Sequence, residues 1–421
     1  MRRPLRTLAA LLGVPLCGLI TVGAPAASAA RSATVAQHPE SARAIATKVN
    51  AALRGSTAKH VDYRVVIGGT GTISHDATRT SAPASNQKLF TVITLLDLLG
   101  PEFRYATTVS GTSRMVSNGT LDGDLVLRGS GDPTLTISDL GAMAKRLHAK
   151  GLRHVSGHLI VDDSRYSHLT RVSGWKHKFV PVESGTIDAF SVDDNQWRGG
   201  TGFDRDPTFD NARLWRAALK KAHISVAGSI RVEAAPSGLH RLLTHRSPDL
   251  AAITDDTLTN SVNFNAEMML REAGAQRSGY GSPATGVAAV RAVAGQLGLP
   301  IDTLHDGSGL SYADRASPAT IVSWLTTLRT SLPFYDTVYF ALPLSCDTGT
   351  LVGRMCGSAL RARVRAKTGT LDHHTALSGY TTTRSGRAVT FSFLLSGFKD
   401  KNMVRVMDHI NAAVAAVVRN G

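Results

Sequence analysis

Ser85-Asn86-Gln87-Lys88-Leu89-Phe90-Thr91-Val92-Ile93-Thr94-Leu95-Leu96, ended by Gly100-Pro101, is the stretch from which the rest of this 421-residue chain can be read. Leu89, Val92, Ile93 and Leu96 recur at helical spacing, and glycine followed by proline stops the run. Helix positions i and i+3 share a face, so the spacing predicts that Lys88 lies against the Ser85 hydroxyl. The start of a helix also aims backbone N–H groups at negative charge forming there. A serine hydroxyl is a weak nucleophile until a base takes its proton, and a lysine one turn away can be that base.

Ser-x-x-Lys is a short pattern, and this chain carries three further copies, at Ser56, Ser173 and Ser396. None of them continues as a helix. Ser56 follows Gly55 in a turn that enters a strand-like run. Ser173-Gly174-Trp175-Lys176 has glycine second and Pro181 soon after, and Ser396 closes the strand-like run from Phe391 to Leu395. Ser85 alone would most simply read as a helix cap. Ser261-Val262-Asn263 would read as another cap, and Lys367-Thr368-Gly369 as a strand end with a turn. In this order the three form the parts of an acyl-enzyme serine hydrolase that works without histidine.

Arg2, Arg3 and Arg6, an apolar run from Leu8 to Val22 and the small-residue site Ala27-Ser28-Ala29 predict a secretory signal over residues 1–29. Gly13, Pro15 and Gly18 interrupt that run, which is short for a membrane anchor, and no second long apolar run follows. Cleavage takes away three arginines and lowers the formal charge from +15 to +12. A basic exported protein suits a polyanionic envelope, whereas scattered basic residues on an exported chain argue against nucleic acid as partner. Cys346 and Cys356 remain after cleavage and, in an oxidising compartment, are expected to form a disulfide closing a short loop. Metal ligation is the alternative for them but lacks partners at suitable spacing, and neither a metal nor a cofactor is expected. His154 and His158 read as surface residues on a loop-to-strand passage, and His373 and His374 as solvated turn residues near a site rim.

The 392 residues left after cleavage exceed one comfortable core. A helix from about Glu40 to Leu53 and a hairpin from Val61 precede the Ser85 helix. From Pro101 to about His245 the character changes. Strands at Leu125–Leu127, Leu159–Val161 and Ile230–Val232 alternate with helices near Ile137–His148 and Asn211–Ala222, which predicts an inserted α/β domain over 101–245. The first part, 30–100, then joins 246–421, with helices at Ser261–Glu272 and Gly286–Leu297 and a strand over Val364–Gly369. A hairpin of Thr375–Thr382 and Arg387–Ser396 follows, and then a final helix over Asn402–Arg419 with Val404, Met407, Ile410 and Val414 inward. Helices flanking an antiparallel sheet give an α+β architecture. Asp306-Gly307-Ser308-Gly309 lacks the spacing of a nucleophile elbow and reads as a structural turn.

Together with Gly123-Asp124-Leu125, Gly131-Asp132-Pro133-Thr134-Leu135, His245-Arg246-Ser247-Pro248, Ala266-Glu267, Asp306 to Ser311 and Ala376 to Tyr380, the three motifs resemble the D-alanyl-D-alanine carboxypeptidases/endopeptidases of the low-molecular-mass class C penicillin-binding proteins. The resemblance implies a penicillin-binding, β-lactamase-like transpeptidase domain with an insertion. It implies peptidoglycan peptides ending in D-Ala-D-Ala as substrate and β-lactams as covalent inhibitors. Ser85 is then the nucleophile and Lys88 the base, needing a pKa about 3 units below that of free lysine, which burial and the cation of Lys367 would supply. Ser261 relays a proton to the leaving amine and Asn263 holds the peptide. Lys367, Thr368 and Thr370 bind the terminal carboxylate, Gly369 lets the strand approach the substrate, and the N–H groups of Ser85 and Thr370 form an oxyanion hole. The insertion is shorter than the resemblance implies, with a third domain reduced near Asn195–Pro207, and Lys176-His177-Lys178 stands after Gly174-Trp175 where acidic residues are usual. A β-lactamase shares the three motifs but is normally one compact unit. A non-catalytic wall-binding protein would not need every catalytic residue type.

Overall fold

The computed structural model describes residues 41–115, 118–168, 172–195 and 207–421. The segment 1–29 expected to direct export, and the loop expected to replace a third domain between Asn195 and Pro207, lie outside the described residues. An antiparallel five-stranded sheet carries the strands in the order Arg365–Leu371, His374–Thr382, Ala388–Ser396, His60–Ile67 and Gly71–His75. Successive residues of a strand point to opposite faces, and here both faces are covered. Leu377, Phe391, Phe393 and Leu395 pack with Ile45, Val49, Ile410 and Val414 of the helices Ala42–Leu53 and Met403–Asn420. Ala376 and Leu394, on the other face, join Phe90, Ile93, Trp324 and their neighbours. The last helix turns differently from expectation. Ile410 and Val414 are inward with Val406, Ala413 and Val417, but Val404 is 72% exposed: Met403 of the same turn packs on this core, and Val404, one residue on, is turned about 100° away from Met403 toward solvent.

The helix Gln87–Leu99 has every residue from Gln87 to Leu96 buried. An apolar all-round helix belongs inside a domain, and this one is enclosed by the helices Leu250–Thr259, Asn263–Ser278 and Pro283–Gln296 on one side and the sheet on the other. Gly100 ends it with φ 73°, donating its N–H to the carbonyl of Leu96. Between Leu99 and Leu250 a second sheet runs in the order His240–Arg246, Ala106–Gly111, Leu125–Arg128, Leu159–Asp162 and Ile230–Val232, with the last three strands parallel. Its apolar face has its own core with Leu140, Leu147, Trp215 and Leu219 from the helices Ile137–Ala149 and Pro207–Lys221. Strands His154–Val155, Thr120–Leu121 and Ser225–Val226 make a small third sheet. Cys346 and Cys356 are joined in a disulfide. Among the described residues, no helix is long and apolar enough to cross a membrane.

Candidate active site

Ser85 sits on a short 3-10 turn, Ala84–Asn86, that leads directly into the buried helix. That turn is pinched between two glycines. A Cβ on Gly309, whose φ is 83°, would lie 1.9 Å from the Ala84 carbonyl oxygen. One on Gly369 would lie 2.8 Å from both the Pro83 carbonyl oxygen and the Asn86 side chain. The glycine of Lys367-Thr368-Gly369 therefore also serves close contact between the strand and the nucleophile turn. Asn86 and Gln87 lock the turn from either side, donating to the carbonyls of Lys367 (3.4 Å) and Asp306 (3.1 Å).

Lys88 is fully buried and makes three hydrogen bonds through Nζ: to Ser85 Oγ at 3.0 Å, Asn263 Oδ1 at 2.7 Å and the Ser308 carbonyl at 2.7 Å. Burial disfavours the ammonium form and lowers its pKa to about 7, although the carboxylates of Asp306, Glu267 and Glu183 pull upward. Lys367 is also fully buried, and burial followed by the charge of Lys88 holds its pKa well below the ordinary lysine value. The influence between the lysines thus acts on Lys367, whereas desolvation is what lowers Lys88. A neutral Lys88 has two N–H donors, which suit Asn263 and Ser308, and one lone pair, which is left for the Ser85 O–H.

Asn263 opens the helix Asn263–Ser278 and, besides receiving Lys88, donates Nδ2 to the Glu183 carbonyl at 2.9 Å. Ser261, two residues earlier, is held in the left-handed region at φ 61°, an unusual state for serine. Among the described residues, no hydrogen bond joins its hydroxyl to either lysine. Thr368 donates Oγ1 to Thr350 Oγ1 at 2.8 Å, inside the disulfide loop. Thr370 is exposed and lines a cavity of about 400 Å³ with Phe179, Glu183, Leu310, Tyr312 and Asp372. Lys176 pairs with Asp372 and lies over the Tyr312 ring, 4.5 Å from its centre. His374 is not a solvated turn residue: it begins a strand, half-buried, edge-on to Tyr312. His373 is at the turn, at φ 65° and bonded to the Phe398 carbonyl.

The sequence reading overlooked Ser308, Glu267 and Asp306 as members of this site. Asp306-Gly307-Ser308-Gly309 is indeed a turn, but it presents a carbonyl to Lys88. Asp306 Oδ2 accepts from Trp175 Nε1 and the Ser311 N–H, and Oδ1 from the Gly309 N–H. A carboxylate inside a glycine-rich turn, and another four residues beyond Asn263 among apolar neighbours, were the available signals.

Residues 52–198 and 203–417 match the family described as D-Ala-D-Ala carboxypeptidase 3 (S13). A D-alanyl-D-alanine carboxypeptidase of Actinomadura sp. (strain R39) is 28% identical over 496 residues, covering 97% of this chain and 90% of the relative. Penicillin binding protein 4 (dacB) of Haemophilus influenzae superposes with a TM-score of 0.77 at 21% identity, over 87% of this chain and 98% of that one. A predatory peptidoglycan endopeptidase of Bdellovibrio bacteriovorus has the same fold at 17% identity and a TM-score of 0.59, covering 86% and 92% of the two chains.

Proposed function

Because the chain belongs to the D-Ala-D-Ala carboxypeptidase 3 (S13) family and is a serine-type D-Ala-D-Ala carboxypeptidase, we propose that Ser85 carries the acyl group and that Lys88 is the base that activates it. Neutral Lys88 takes the Ser85 proton as Oγ attacks the carbonyl between the two D-alanines of a peptidoglycan stem peptide. The C–N bond breaks, an ester to Ser85 forms, and the terminal D-alanine leaves as an amine that has gained a proton. Water then hydrolyses the ester. The observation that carries this reading is the three-way bonding of Lys88, which leaves one lone pair toward Ser85.

Asn263 holds Lys88 and touches the peptide backbone of the substrate. Lys367, Thr368 and Thr370 receive the terminal carboxylate, and the N–H groups of Ser85 and Thr370 stabilise the oxyanion, a contribution of about 3–4 kcal/mol per donor in enzymes where it has been tested. Ser261 carries the proton to the leaving amine, and its strained backbone supports a site role. β-Lactams, which present a strained amide to the same serine, acylate Ser85 and are released slowly. The chain divides into a peptidase domain of residues 30–100 and 246–421 and an insertion of 101–245, a reading supported by the separate sheet and core of the inserted residues. Residues 1–29 direct export, so the enzyme works at the cell wall, where the disulfide is stable.

Fluorescent penicillin labelling of the mature chain and of Ser85→Ala tests the acyl-enzyme. The wild type is labelled and releases D-alanine from a pentapeptide, and the variant does neither. An unlabelled wild type, or a labelled Ser85→Ala, defeats the proposal. A cross-linked peptide dimer run in parallel shows whether the same site also works as an endopeptidase.

A further inference from the structure

Glu267 is fully buried on the helix that Asn263 opens, and the two residues share a face because they are four apart. Its Oε1 accepts the N–H groups of both Gly307 and Ser308 at 2.9 Å, and its Oε2 accepts Arg271 Nη1 at 3.0 Å. The Ser308 carbonyl, on the next peptide, receives Lys88. The turn is pressed onto the helix so tightly that a Cβ on Gly307 would stand 2.5 Å from the Ala266 carbonyl oxygen.

We propose that the buried carboxylate of Glu267 restores part of the proton affinity that burial takes from Lys88, by its charge and by holding the Gly307–Ser308 backbone, and so tunes the pH at which Ser85 becomes reactive. The inference deepens the reading of Lys88 as base and rests on it. Glu267 is a positioning residue: it touches neither substrate nor the reacting atoms.

Three features carry the argument. Burial and the neighbouring Asp306 raise the pKa of Glu267, but the Arg271 guanidinium and two backbone N–H groups all donate to its carboxyl oxygens, an arrangement that suits the carboxylate. A buried ion pair such as Glu267–Arg271 adds little net stability over apolar packing, so its presence directly under the lysine calls for another purpose. The charged groups around Lys88 come from four elements: Lys367 on its strand, Asp306 on the turn, Glu183 on the segment ahead of it, and Glu267 with Arg271 on the helix. Asp306 is held by backbone N–H groups and Trp175, and Glu183 stands beyond Asn263. Asp306 grips the Ser308–Gly309 peptide itself through the Gly309 N–H, and Glu267 grips the two peptides before it from the helix that Asn263 opens, so both carboxylates combine a charge with a hold on the acceptor of Lys88.

The test is the pH profile of kcat/KM for a D-Ala-D-Ala peptide, with penicillin labelling as a second readout. Glu267→Gln keeps the shape and loses the charge. The acidic limb moves down by about one pH unit, so that relative activity one unit below the wild-type midpoint rises severalfold. Glu267→Asp keeps the charge and shortens the reach. Its kcat falls while its acidic limb stays in place. Should Glu267→Gln fold poorly, Glu267→Gln with Arg271→Met leaves a neutral pair, and its limb still moves down but by less, because losing the Arg271 cation acts the other way. An unmoved limb in a folded, labelled charge-neutral variant overturns the inference, as does an equal movement in Glu267→Asp. Lys88→Met labelled at the wild-type rate would instead overturn the base assignment beneath it.

Discussion

Lys88 Nζ stands 3.0 Å from Ser85 Oγ while two other oxygens, Asn263 Oδ1 and the Ser308 carbonyl, take up its remaining bonds. A protonated amine fills all three contacts with hydrogens and cannot accept a proton from Ser85. A neutral one keeps two hydrogens for Asn263 and Ser308 and turns its lone pair to the serine. Activity therefore depends on a titration with a pKa of about 7, set by burial.

The pH–rate profile follows with its sign. Below pH 7 the base is protonated, so kcat/KM falls about tenfold for each pH unit of acidification; above pH 7 it levels off. Lys88→Arg stays charged throughout this range, so its activity falls by about 10²- to 10⁴-fold and shows no recovery up to pH 9. Stopped-flow acylation with a chromogenic β-lactam across pH 5–9 measures both. A wild-type limb that does not bend near neutrality contradicts the assignment.

The two glycines that pinch the nucleophile turn make a separate prediction. Gly309→Ala places a methyl against the Ala84 carbonyl in a backbone state that alanine resists, and costs about 2–5 kcal/mol. Gly369→Ala displaces Pro83 and Asn86, and a shift of Ser85 by a fraction of an ångström lowers kcat by about 10²-fold. Gly100→Ala is the comparison. Its φ is 73° and ψ 162°, but apart from its chain neighbours no heavy atom lies within 4 Å of the added Cβ, so only a backbone cost of about 1–3 kcal/mol appears and kcat is kept. Equal losses of kcat in Gly100→Ala and Gly369→Ala would remove the role assigned to the pinch.

The disulfide loop is tied to Thr368, the residue proposed to receive the substrate carboxylate, through one hydroxyl. The loop from Cys346 to Cys356 contains Thr350, whose Oγ1 accepts from Thr368. Cys346→Ser with Cys356→Ser loses about 2–3 kcal/mol of stability in the chain-entropy model. It also frees Thr350, so KM for a D-Ala-D-Ala peptide rises severalfold while the pH midpoint from Lys88 stays put. Thr350→Val, which keeps the disulfide, reproduces the KM change without the stability loss. Urea unfolding and steady-state kinetics on the three proteins separate the effects.

These predictions mark how far the sequence could be read. Lys88 against Ser85 followed from i,i+3 spacing alone, and the antiparallel hairpin around Arg384-Ser385-Gly386 from alternation and turn chemistry. Both are local patterns. Gly309 and Gly369 looked like a turn glycine and a strand glycine, because their shared neighbour, the Pro83–Asn86 turn, is more than 200 residues away in the chain. Glu267 read as one member of a motif string, since nothing in Ala266-Glu267 reveals that it grips a turn 40 residues on. Val404 stands off the buried face because the stripe runs through Met403, Val406, Ile410, Ala413 and Val417, a register that apolar residues on both sides of it leave open in the sequence. Neighbours in the chain were legible from spacing, whereas neighbours made by the fold, such as Lys88 with Asn263, were legible only where the family motifs supplied them.

Lys88 also makes a prediction about stability, opposite in sense to its role in activity. In the unfolded chain its amine titrates near 10.5, and in the folded chain near 7. A folded-state pKa below the unfolded one means that the folded state binds the proton less well. Relative to high pH, Lys88 then destabilises the fold increasingly as pH falls from about 10.5 to 7, and fully below 7. At about 1.4 kcal/mol per unit, the ceiling is near ~5 kcal/mol. Lys88→Met removes this linkage, and by taking away the charge beside Lys367 it relieves that residue in the same direction. It also leaves the Ser308 carbonyl and Asn263 Oδ1 without a donor, costing about 1–3 kcal/mol for each, independent of pH. The stability of Lys88→Met relative to wild type is therefore highest near pH 6–7 and declines toward pH 10. Urea unfolding at pH 6, 8 and 10 reads the difference directly, and a difference that stays level, or grows with pH, would show that the amine at position 88 is charged in the folded protein.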